Sequence, residues 1–259
     1  MITAGIDIGH ESVNVVVLQE DGILGHATFV ISGEVGAVAR VVFEKTLSQL
    51  GIARGSIHRI FATGVGRENV ALADGHRTQM LSHVRGAHRL VPGARTVIDI
   101  GAEGSRVMRC DTNGNLTNFA LNDKCASGSG VFLETVAGML DVPLPDIGGL
   151  SLRALRTVVL TSTCAVFAES EIVAEIHRGS SKEAILWGVN EAIVSRIAAT
   201  SRRVGIEPDL VLTGGVARNA GVVQALREQL NVEVTVPEHP EIAGALGAAI
   251  LARQPTGAR

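Results

Sequence analysis

The stretch GIDIGHESVNVVV, residues 5–17, is repeated in outline by VIDIGAEGSRVM at 97–108. Each segment reads as a strand, a tight glycine turn and a second strand, with an aspartate two positions before the turn glycine. Self-similarity at a separation of about ninety residues indicates a duplicated structural unit rather than one continuous sheet. We therefore predict two α/β lobes, one at 1–94 and one at 95–239, with a C-terminal helix within 240–259 that returns to the first lobe.

The composition and net charge limit the classes of protein to which the chain can belong. Of the 259 residues, 46% are hydrophobic, enough to bury a core in one large domain or two lobes. The 23 basic and 26 acidic side chains give a net charge of −3, so nothing attracts nucleic acid or an anionic membrane. The chain begins directly with a strand, and no apolar stretch is long enough to cross a bilayer. We predict a cytoplasmic protein with neither nucleic acid nor membrane as partner.

The two glycine turns are candidates for phosphate handling. Asp7 and Asp99 each end a strand, where a carboxylate can hold a hydrated Mg²⁺. Gly9 and Gly101 follow, and a glycine turn exposes backbone N–H groups that can cradle phosphate oxygens. One such turn is also typical of an ordinary β-hairpin, whereas two in register favour a nucleotide clamp. The other candidate nucleotide contacts in these turns are His10, Ser12 and Ser105, and Glu103 joins Asp7 and Asp99 as a candidate catalytic residue.

A third element, VLTGGVARN at 211–219, reads as a strand that runs into a double-glycine turn and a helix. Gly214 and Gly215 carry no side chains that would block a flat adenine or ribose, and the helix N-terminus near Asn219 adds hydrogen-bond donors. Alone the element is a weak signal. The chain has no G-x-x-x-x-G-K-[ST] motif, so a P-loop is excluded.

Together the three elements resemble the phosphate 1, phosphate 2 and adenosine motifs of the actin/hexokinase/Hsp70 superfamily. The resemblance implies a two-lobed ATPase fold with duplicated ribonuclease H-like lobes, which binds ATP or ADP with Mg²⁺. The segments DKCASGSGVFLE at 123–134 and STCAVFAESEI at 162–172 indicate one family within this superfamily. They resemble the activators of 2-hydroxyacyl-CoA dehydratases and the ATPase subunits of ATP-dependent benzoyl-CoA reductases.

The cysteines of these two segments, Cys125 and Cys164, each precede an apolar helix, where the helix dipole favours a thiolate. A [4Fe-4S] cluster normally takes four cysteines. We therefore predict that the two cysteines hold half of a cluster shared across a dimer interface, as the resemblance also implies. The alternative is that both are small buried hydrophobic residues. Cys110 has no partner at a useful spacing and is predicted to be structural.

The turn after the first cluster cysteine has its own interpretation. Ser127, Gly128 and Gly130 lead from Cys125 into a helix, and they are candidates for nucleotide contact. One short segment would then respond to both the nucleotide and the cluster. His83 and Arg85, in the preceding stretch, are interpreted as charged surface or as contacts to a partner protein.

The turns depart from the pattern of typical family members. The first lacks the D-x-G-S-T-x-x-K hydroxyls and lysine, and the second reads Ala102-Glu103-Gly104 where the activators usually have Gly-Gln-Asp. These changes favour ATP binding over fast hydrolysis. They resemble the D-type ATPase component of benzoyl-CoA reductase, which pairs with a longer paralogue.

The predicted function is therefore a cluster-bearing subunit that couples ATP hydrolysis to low-potential electron transfer into a benzoyl-CoA reductase. Its partners would be a paralogous ATPase subunit, or a second copy of itself, and the catalytic subunits of an acyl-CoA reductase or dehydratase. The alternatives are a homodimeric activator of a 2-hydroxyacyl-CoA dehydratase, a small-molecule kinase of the same fold, and a catalytically weak scaffold half of a heterodimer.

Overall fold

The computed structural model describes residues 1–20, 22–122, 128–161 and 164–254. The described residues form these strands: β1 (Ile2–Ile8), β2 (Ser12–Gln19), β3 (Gly22–Val30), β4 (Ile57–Gly64), β5 (Gly75–His76), β6 (Thr96–Ile100), β7 (Ser105–Cys110), β8 (Leu116–Asn122), β9 (Leu210–Thr213) and β10 (Val234–Thr235). The α-helices are α1 (Val35–Leu50), α2 (Gln79–Leu90), α3 (Gly130–Met139), α4 (Ile147–Ser151), α5 (Ala165–His177), α6 (Lys182–Val204), α7 (Ala220–Leu230) and α8 (Ala243–Leu251).

The strands form two five-stranded sheets of the same topology. The first has the order β3-β2-β1-β4-β5 and the second β8-β7-β6-β9-β10. In each sheet the first three strands are an antiparallel meander, and the last two run parallel to the central strand. The internal repeat of the sequence therefore corresponds to a structural duplication. We call the parts built on these sheets the first lobe and the second lobe.

Helices α2 and α8 pack against each other in the layer between the two sheets. Helix α8 packs on β1, β2 and β4 of the first sheet, and α2 packs on the second sheet, so each lobe's last helix crosses to the other lobe. The helices approach closely because their contact positions are small: a Cβ on Gly86 would overlap Ala243 O, and one on Gly247 would overlap Ser82 O. Helices α1 and α6 cover the outer faces of the two sheets. The boundary at residue 94 stays a prediction.

Three local patterns in the sequence predict structure that the fold does not have: a strand at the apolar run 157–160, a helix at 65–75 and an N-cap of α6 at Ser180. The apolar run at 157–160 is not a strand, because it lies outside both sheets and carries the exposed Val159. The segment 65–75 forms a short 3-10 turn rather than a helix. The predicted cap of α6 is displaced by one residue: Ser181, not Ser180, accepts the hydrogen bond from Ala184 N, while Ser180 Oγ donates to Glu175 Oε2. No helix in the described ranges has the length and apolar character needed to cross a membrane.

Candidate functional site

Two aspartates occupy equivalent places in the two sheets. Asp7 lies one residue before the end of β1, and Asp99 lies one residue before the end of β6; both are buried. Their register partners on the adjacent strands are Asn14 and Thr63 for the first aspartate, and Arg106 and Thr213 for the second. The duplication therefore brings one carboxylate from each lobe to the same end of the molecule.

The turns after these strands are built alike. The N–H of Gly9 donates to Ser12 O at 2.8 Å, and the N–H of Gly101 donates to Gly104 O at 2.9 Å. These two amides close the turns, so only the amides that follow them remain for a phosphate. A glycine at the end of the neighbouring parallel strand makes room for each aspartate side chain. Gly64 (φ 92°) and Gly214 (φ 87°) adopt left-handed backbone conformations next to Asp7 Oδ1 and Asp99 Oδ1, where a Cβ would have no room.

His83 joins the two lobes at this point, so its interpretation as charged surface was wrong. It is buried on α2, with Nε2 3.6 Å from Asp7 Oδ2 and Nδ1 3.3 Å from Asp99 Oδ1. Because α2 packs closely against α8, the imidazole lies between the two sheets and beside both carboxylates. Arg85, on the same helix, does lie at the surface, where it donates to Asn113 O and Asn115 Oδ1.

The two aspartates differ in electrostatic environment. Burial is the largest effect on Asp7 and raises the pKa of its carboxyl group, and nearby Asp99 acts in the same direction. Burial works toward a higher pKa for Asp99 as well, but His83 and Arg106 outweigh it and hold that pKa below its ordinary value. The Arg106 guanidinium donates to Asp99 Oδ2 at 2.8 Å, and Thr213 Oγ1 donates to Oδ1 at 3.2 Å. Asp99 is therefore paired and satisfied, whereas Asp7 is the less stabilised charge.

A cleft of about 860 Å³ opens above the two carboxylates, between the lobes. Most of the residues predicted from the sequence for nucleotide handling line this cleft: Asp7, Gly9, His10, Ser12, Asp99, Gly101, Glu103, Gly130, Gly214, Gly215 and Asn219. Ser105 and Gly128 do not line it. Ser105 is buried in β7, and the Cβ position of Gly128 faces Asn122 and Arg196 instead. Ser127 and Cys125 lie outside the described residues.

Several acidic side chains lie at the turns, where the two lobes face each other across the cleft. His10 of the first turn pairs with Glu103 of the second, with Nε2 3.1 Å from Oε2. Glu11 faces Glu134 of α3: burial, followed by the adjacent Glu134 carboxylate, raises the pKa of Glu11. The cleft wall at the turns is therefore rich in carboxylates, a situation that a divalent cation relieves.

The third predicted element forms the far wall of the cleft. Asn219 caps α7, and its Oδ1 accepts from the N–H groups of Gly221 and Val222 at 2.9 and 3.2 Å. Its buried Nδ2 has no hydrogen-bond partner, so this donor remains available inside the cleft. Arg218 is fixed beside it by two 2.8 Å contacts to Glu241. This wall can receive a base or a ribose.

Helix α3 is attached directly to the second turn. The N–H of Gly130 donates to Gly101 O, and the N–H of Val131 donates to Ala102 O, both at 2.9 Å. The Cβ position of Gly130 would lie 3.3 Å from Ala102 Cα, so the two backbones are in close contact. The chain segment that follows the predicted ligand Cys125 is therefore tied to a wall of the cleft.

The two described cysteines occupy contrasting places. Cys164 is exposed, is free, and stands immediately before the first residue of α5. Cys110 is buried and donates from Sγ to Ala94 O at 3.3 Å; burial raises the pKa of its thiol. An exposed thiol at a helix N-terminus suits a metal ligand, and a buried, hydrogen-bonded one does not.

Sequence reasoning missed the residues that support the two carboxylates. Neither Arg106 nor Glu134 is among the predicted site residues. A signal for Arg106 existed, because the repeat aligns it with Asn14, directly across from the aspartate. His83 and Glu134 have no counterpart in the repeat, and only the tertiary packing brings them to the cleft.

This fold and cleft agree with known proteins. The sequence model of the BadF/BadG/BcrA/BcrD ATPase family matches residues 4–252. The chain belongs to this family. An activator of lactoyl-CoA dehydratase from Anaerotignum propionicum is 39% identical over 252 residues, covering 97% of this chain and 97% of the relative. The D-type component of the benzoyl-CoA reductase of Thauera aromatica is 35% identical over 260 residues, covering 96% of this chain and 92% of the relative.

Solved structures confirm the family resemblance and the fold class. The activator of 2-hydroxyisocaproyl-CoA dehydratase from Clostridium difficile, with bound ADPNP, matches with a TM-score of 0.92 and 37% identity, covering 97% of this chain and 94% of that one. A glucokinase from Streptomyces griseus, of the ROK family, matches with a TM-score of 0.61 at 13% identity over 98% of this chain and 100% of its own, which shows the shared fold alone. The BadF/BadG/BcrA/BcrD ATPase relatives favour dehydratase activation over a specific benzoyl-CoA reductase role, which stays a prediction.

Proposed function

We propose that this family member is an ATP-driven electron donor that activates a 2-hydroxyacyl-CoA dehydratase. It would bind Mg·ATP in the cleft between the lobes and share a [4Fe-4S] cluster with a second copy of the chain. Closure of the lobes on the nucleotide would change the surroundings of the cluster, so that hydrolysis drives an electron into the partner enzyme. Three features of the chain support this proposal.

The cleft suits a magnesium nucleotide. Asp7 and Asp99 present one carboxylate from each lobe, and Mg²⁺ typically uses one or two carboxylates and keeps several waters. The described residues contain no cluster of three or more His, Cys, Asp or Glu side chains that would hold a metal directly, which also fits a hydrated cation. In the proposal Gly101 and the amides after it approach the phosphates, Glu103 lies beside the attacking water, and Asn219 contacts the ribose or base.

The chain supplies half of a cluster site. Cys164 offers an exposed thiol at a helix N-terminus, and Cys125 is the second proposed ligand. Beside Cys164, Val166 and Phe167 are 66% and 67% exposed, an apolar surface of the kind that a second chain covers. When bound, the cluster would supply a one-electron couple at low potential. The protein's own contribution is to hold two thiolates and to bury the group between two copies.

The observation that carries the proposal is the attachment of α3 to the second turn. The hydrogen bonds from Gly130 and Val131 to the turn carbonyls mean that a shift of this turn moves the start of α3. Residue 125 is five positions before Gly130 in the sequence, and in the proposal the same shift would be passed on to the cluster ligand. Coupling requires such a shared element, because a nucleotide changes the cluster only if the two lobe arrangements bind it with different affinity.

A second candidate is the D-type component of a benzoyl-CoA reductase. It is favoured by the second turn, where Ala102-Glu103-Gly104 replaces the usual activator pattern, and by the His10–Glu103 pair that crosses the cleft. In that case the chain would pair with a paralogue instead of itself. Both candidates use the same cleft and the same cysteines, and they differ in the partner.

Anaerobic purification tests the proposal. The donor function predicts about two irons per chain, since a four-iron cluster is shared by two chains, and ATP hydrolysis that increases with a purified dehydratase. Co-purification with a longer paralogue would favour the benzoyl-CoA reductase role. A colourless, iron-free protein that phosphorylates a small molecule would contradict both and indicate a kinase.

A further inference from the structure

His83 is the one described side chain that touches both carboxylates of the cleft without belonging to either sheet. It projects from α2, in the layer between the lobes, and only about a twentieth of it is exposed. On its other side a Cβ at Gly244 of α8 would overlap Asp7 Oδ2 and lie 3.0 Å from His83 Nε2. The absence of a side chain at Gly244 therefore makes room for the Asp7 carboxylate and for the imidazole beside it.

The hydrogen-bonding capacity of this imidazole is not fully used. Nδ1 is buried and makes no well-directed hydrogen bond, although Asp99 Oδ1 is only 3.3 Å away. An unpaired buried nitrogen costs about 1–3 kcal/mol, so such an atom calls for a partner. The carboxylate beside it is already engaged: Asp99 accepts from Arg106 and from Thr213. Asp99 Oδ1 has a lone pair to spare, but its direction from Nδ1 does not suit a hydrogen bond, so the cleft, which His83 lines, is the remaining source of a partner.

We propose that His83 is a positioning residue of the cation site, which orients the water shell of Mg²⁺ between Asp7 and Asp99 through Nδ1. This inference rests on the proposed Mg·ATP function. A hydrated cation carries water molecules that can bond to groups beyond its direct ligands, and such outer partners fix the ligands and tune the metal. His83 suits this role because it contacts one carboxylate of each lobe, so the same side chain also sets the distance between them.

The position of the free nitrogen gives a sharp test. In His83→Asn the amide atoms fall near the place of Nδ1, whereas in His83→Gln the amide reaches toward the place of Nε2. The matched control is Arg85→Gln, on the same helix but bonded to a surface loop outside the cleft. For each protein the affinity for ATP is measured by calorimetry twice, with excess Mg²⁺ and with EDTA, after the unfolding temperature has been recorded.

The gain from Mg²⁺ is the ratio of the ATP affinity with excess Mg²⁺ to the ATP affinity with EDTA. The inference predicts that this gain is the same in the wild type and in Arg85→Gln. His83→Gln should lose about 10-fold or more of that gain, as is typical for outer partners of a metal, while its affinity in EDTA stays within about twofold. His83→Asn should keep most of the gain. If His83→Gln does not fold, His83→Ala takes its place in the comparison.

Two results would overturn the inference while leaving the nucleotide function intact. One is a full Mg²⁺ gain in His83→Gln. The other is an equal loss of affinity with and without Mg²⁺, which would indicate a role in packing alone. A wild-type chain with the same ATP affinity in Mg²⁺ and in EDTA would instead contradict the proposed function itself, and the inference with it.

Discussion

His10 and Glu103 connect the two lobes across the mouth of the cleft, with His10 Nε2 lying 3.1 Å from Glu103 Oε2. His10 directly follows Gly9 and Glu103 lies two residues after Gly101, so the pair joins the two turns that would hold phosphate. Both side chains are partly exposed, and a pair of this kind contributes about 0–1 kcal/mol to stability. Its importance should therefore show in nucleotide chemistry rather than in folding.

The first prediction concerns this pair. His10→Gln and Glu103→Gln should each lower the rate of ATP hydrolysis about 10-fold or more, because the turns lose a contact between them and Glu103 loses the charge that is proposed to act on the attacking water. The free energy of unfolding should change by less than about 1 kcal/mol. The control is Glu68→Gln, which breaks an exposed pair with Arg67 away from the cleft. Equal hydrolysis rates in all three variants would contradict the assignment.

The second prediction is that the two equivalent aspartates respond oppositely to removal of charge. Asp99→Asn leaves the buried Arg106 unpaired and should cost about 3–5 kcal/mol of stability in the nucleotide-free protein. Asp7→Asn removes a buried and poorly compensated charge and should raise the unfolding temperature. Both variants should lose the Mg²⁺-dependent part of ATP affinity. A loss of stability in Asp7→Asn comparable to that of Asp99→Asn would contradict this account.

The third prediction is the pH dependence of that contrast. The pKa of Asp7 is raised above 3.8, so its unfavourable contribution exists only while the carboxylate is ionised. The advantage of Asp7→Asn should therefore begin to decline as the pH falls below the folded-state pKa of Asp7, and it should be gone near 3.8, the ordinary value of an aspartate. Asp99 has a pKa below 3.8, so its stabilising contribution should persist above that value and be lost only at lower pH. Denaturant unfolding across the acid range measures both trends.

The fourth prediction separates the cysteines. Cys164→Ser and Cys125→Ser should abolish iron binding and leave ATP affinity unchanged, because both thiols are proposed to bind the cluster and not the nucleotide. Cys110→Ser should keep its iron and lose about 1 kcal/mol of stability, because a more polar hydroxyl replaces the thiol in an apolar cluster, although the hydroxyl can donate the same hydrogen bond to Ala94 O. Iron analysis with thermal unfolding decides the matter. Loss of iron in Cys110→Ser alone would show that the ligand set is wrong.

Much of this architecture could be predicted from the sequence because the duplication repeats local rules. Asp7 with Gly9, and Asp99 with Gly101, mark the ends of β1 and β6, and short-range patterns are sufficient to find a strand followed by a turn. Gly214 and Asn219 could be predicted in the same way, because they belong to a strand, a glycine turn and a helix that are adjacent in the sequence. Strand β8 was missed because its exposed Asn118 and Phe119 break the apolar pattern of a buried strand.

The parts that could not be predicted depend on packing between distant segments. His83 reaches the carboxylates because small residues let α2 and α8 approach closely, and no local pattern encodes that contact. Gly128 and Gly130 were both expected at the nucleotide, but of these two glycines only Gly130 lines the cleft. A turn rich in glycine and serine leaves the direction of each residue open until the neighbouring turn is placed.

The fifth prediction tests the attachment of α3 to the second turn. Gly130→Ala would place a methyl group a few tenths of an ångström too close to Ala102 and Val216. It should reduce the response of the cluster to nucleotide without releasing iron. The control is Gly138→Ala on the same helix, where a Cβ meets nothing within 4 Å; it should leave the response intact and stabilise the helix by up to about 1 kcal/mol. Equal responses in the two variants would contradict the role of this contact.

The most direct measurement is the reduction potential of the proposed cluster in the wild-type protein, assembled with the proposed dehydratase partner, recorded with Mg·ADP and again with Mg·ATP. Coupling between two sites is typically about 1–3 kcal/mol, and for one electron this corresponds to a shift of about 40–130 mV. The proposed function predicts a shift of this size between the two nucleotide states, together with a changed rate of iron removal by a chelator. A potential and a chelation rate that are the same in both states would show that hydrolysis does not reach the cluster, and would contradict the account of this chain as an ATP-driven electron donor.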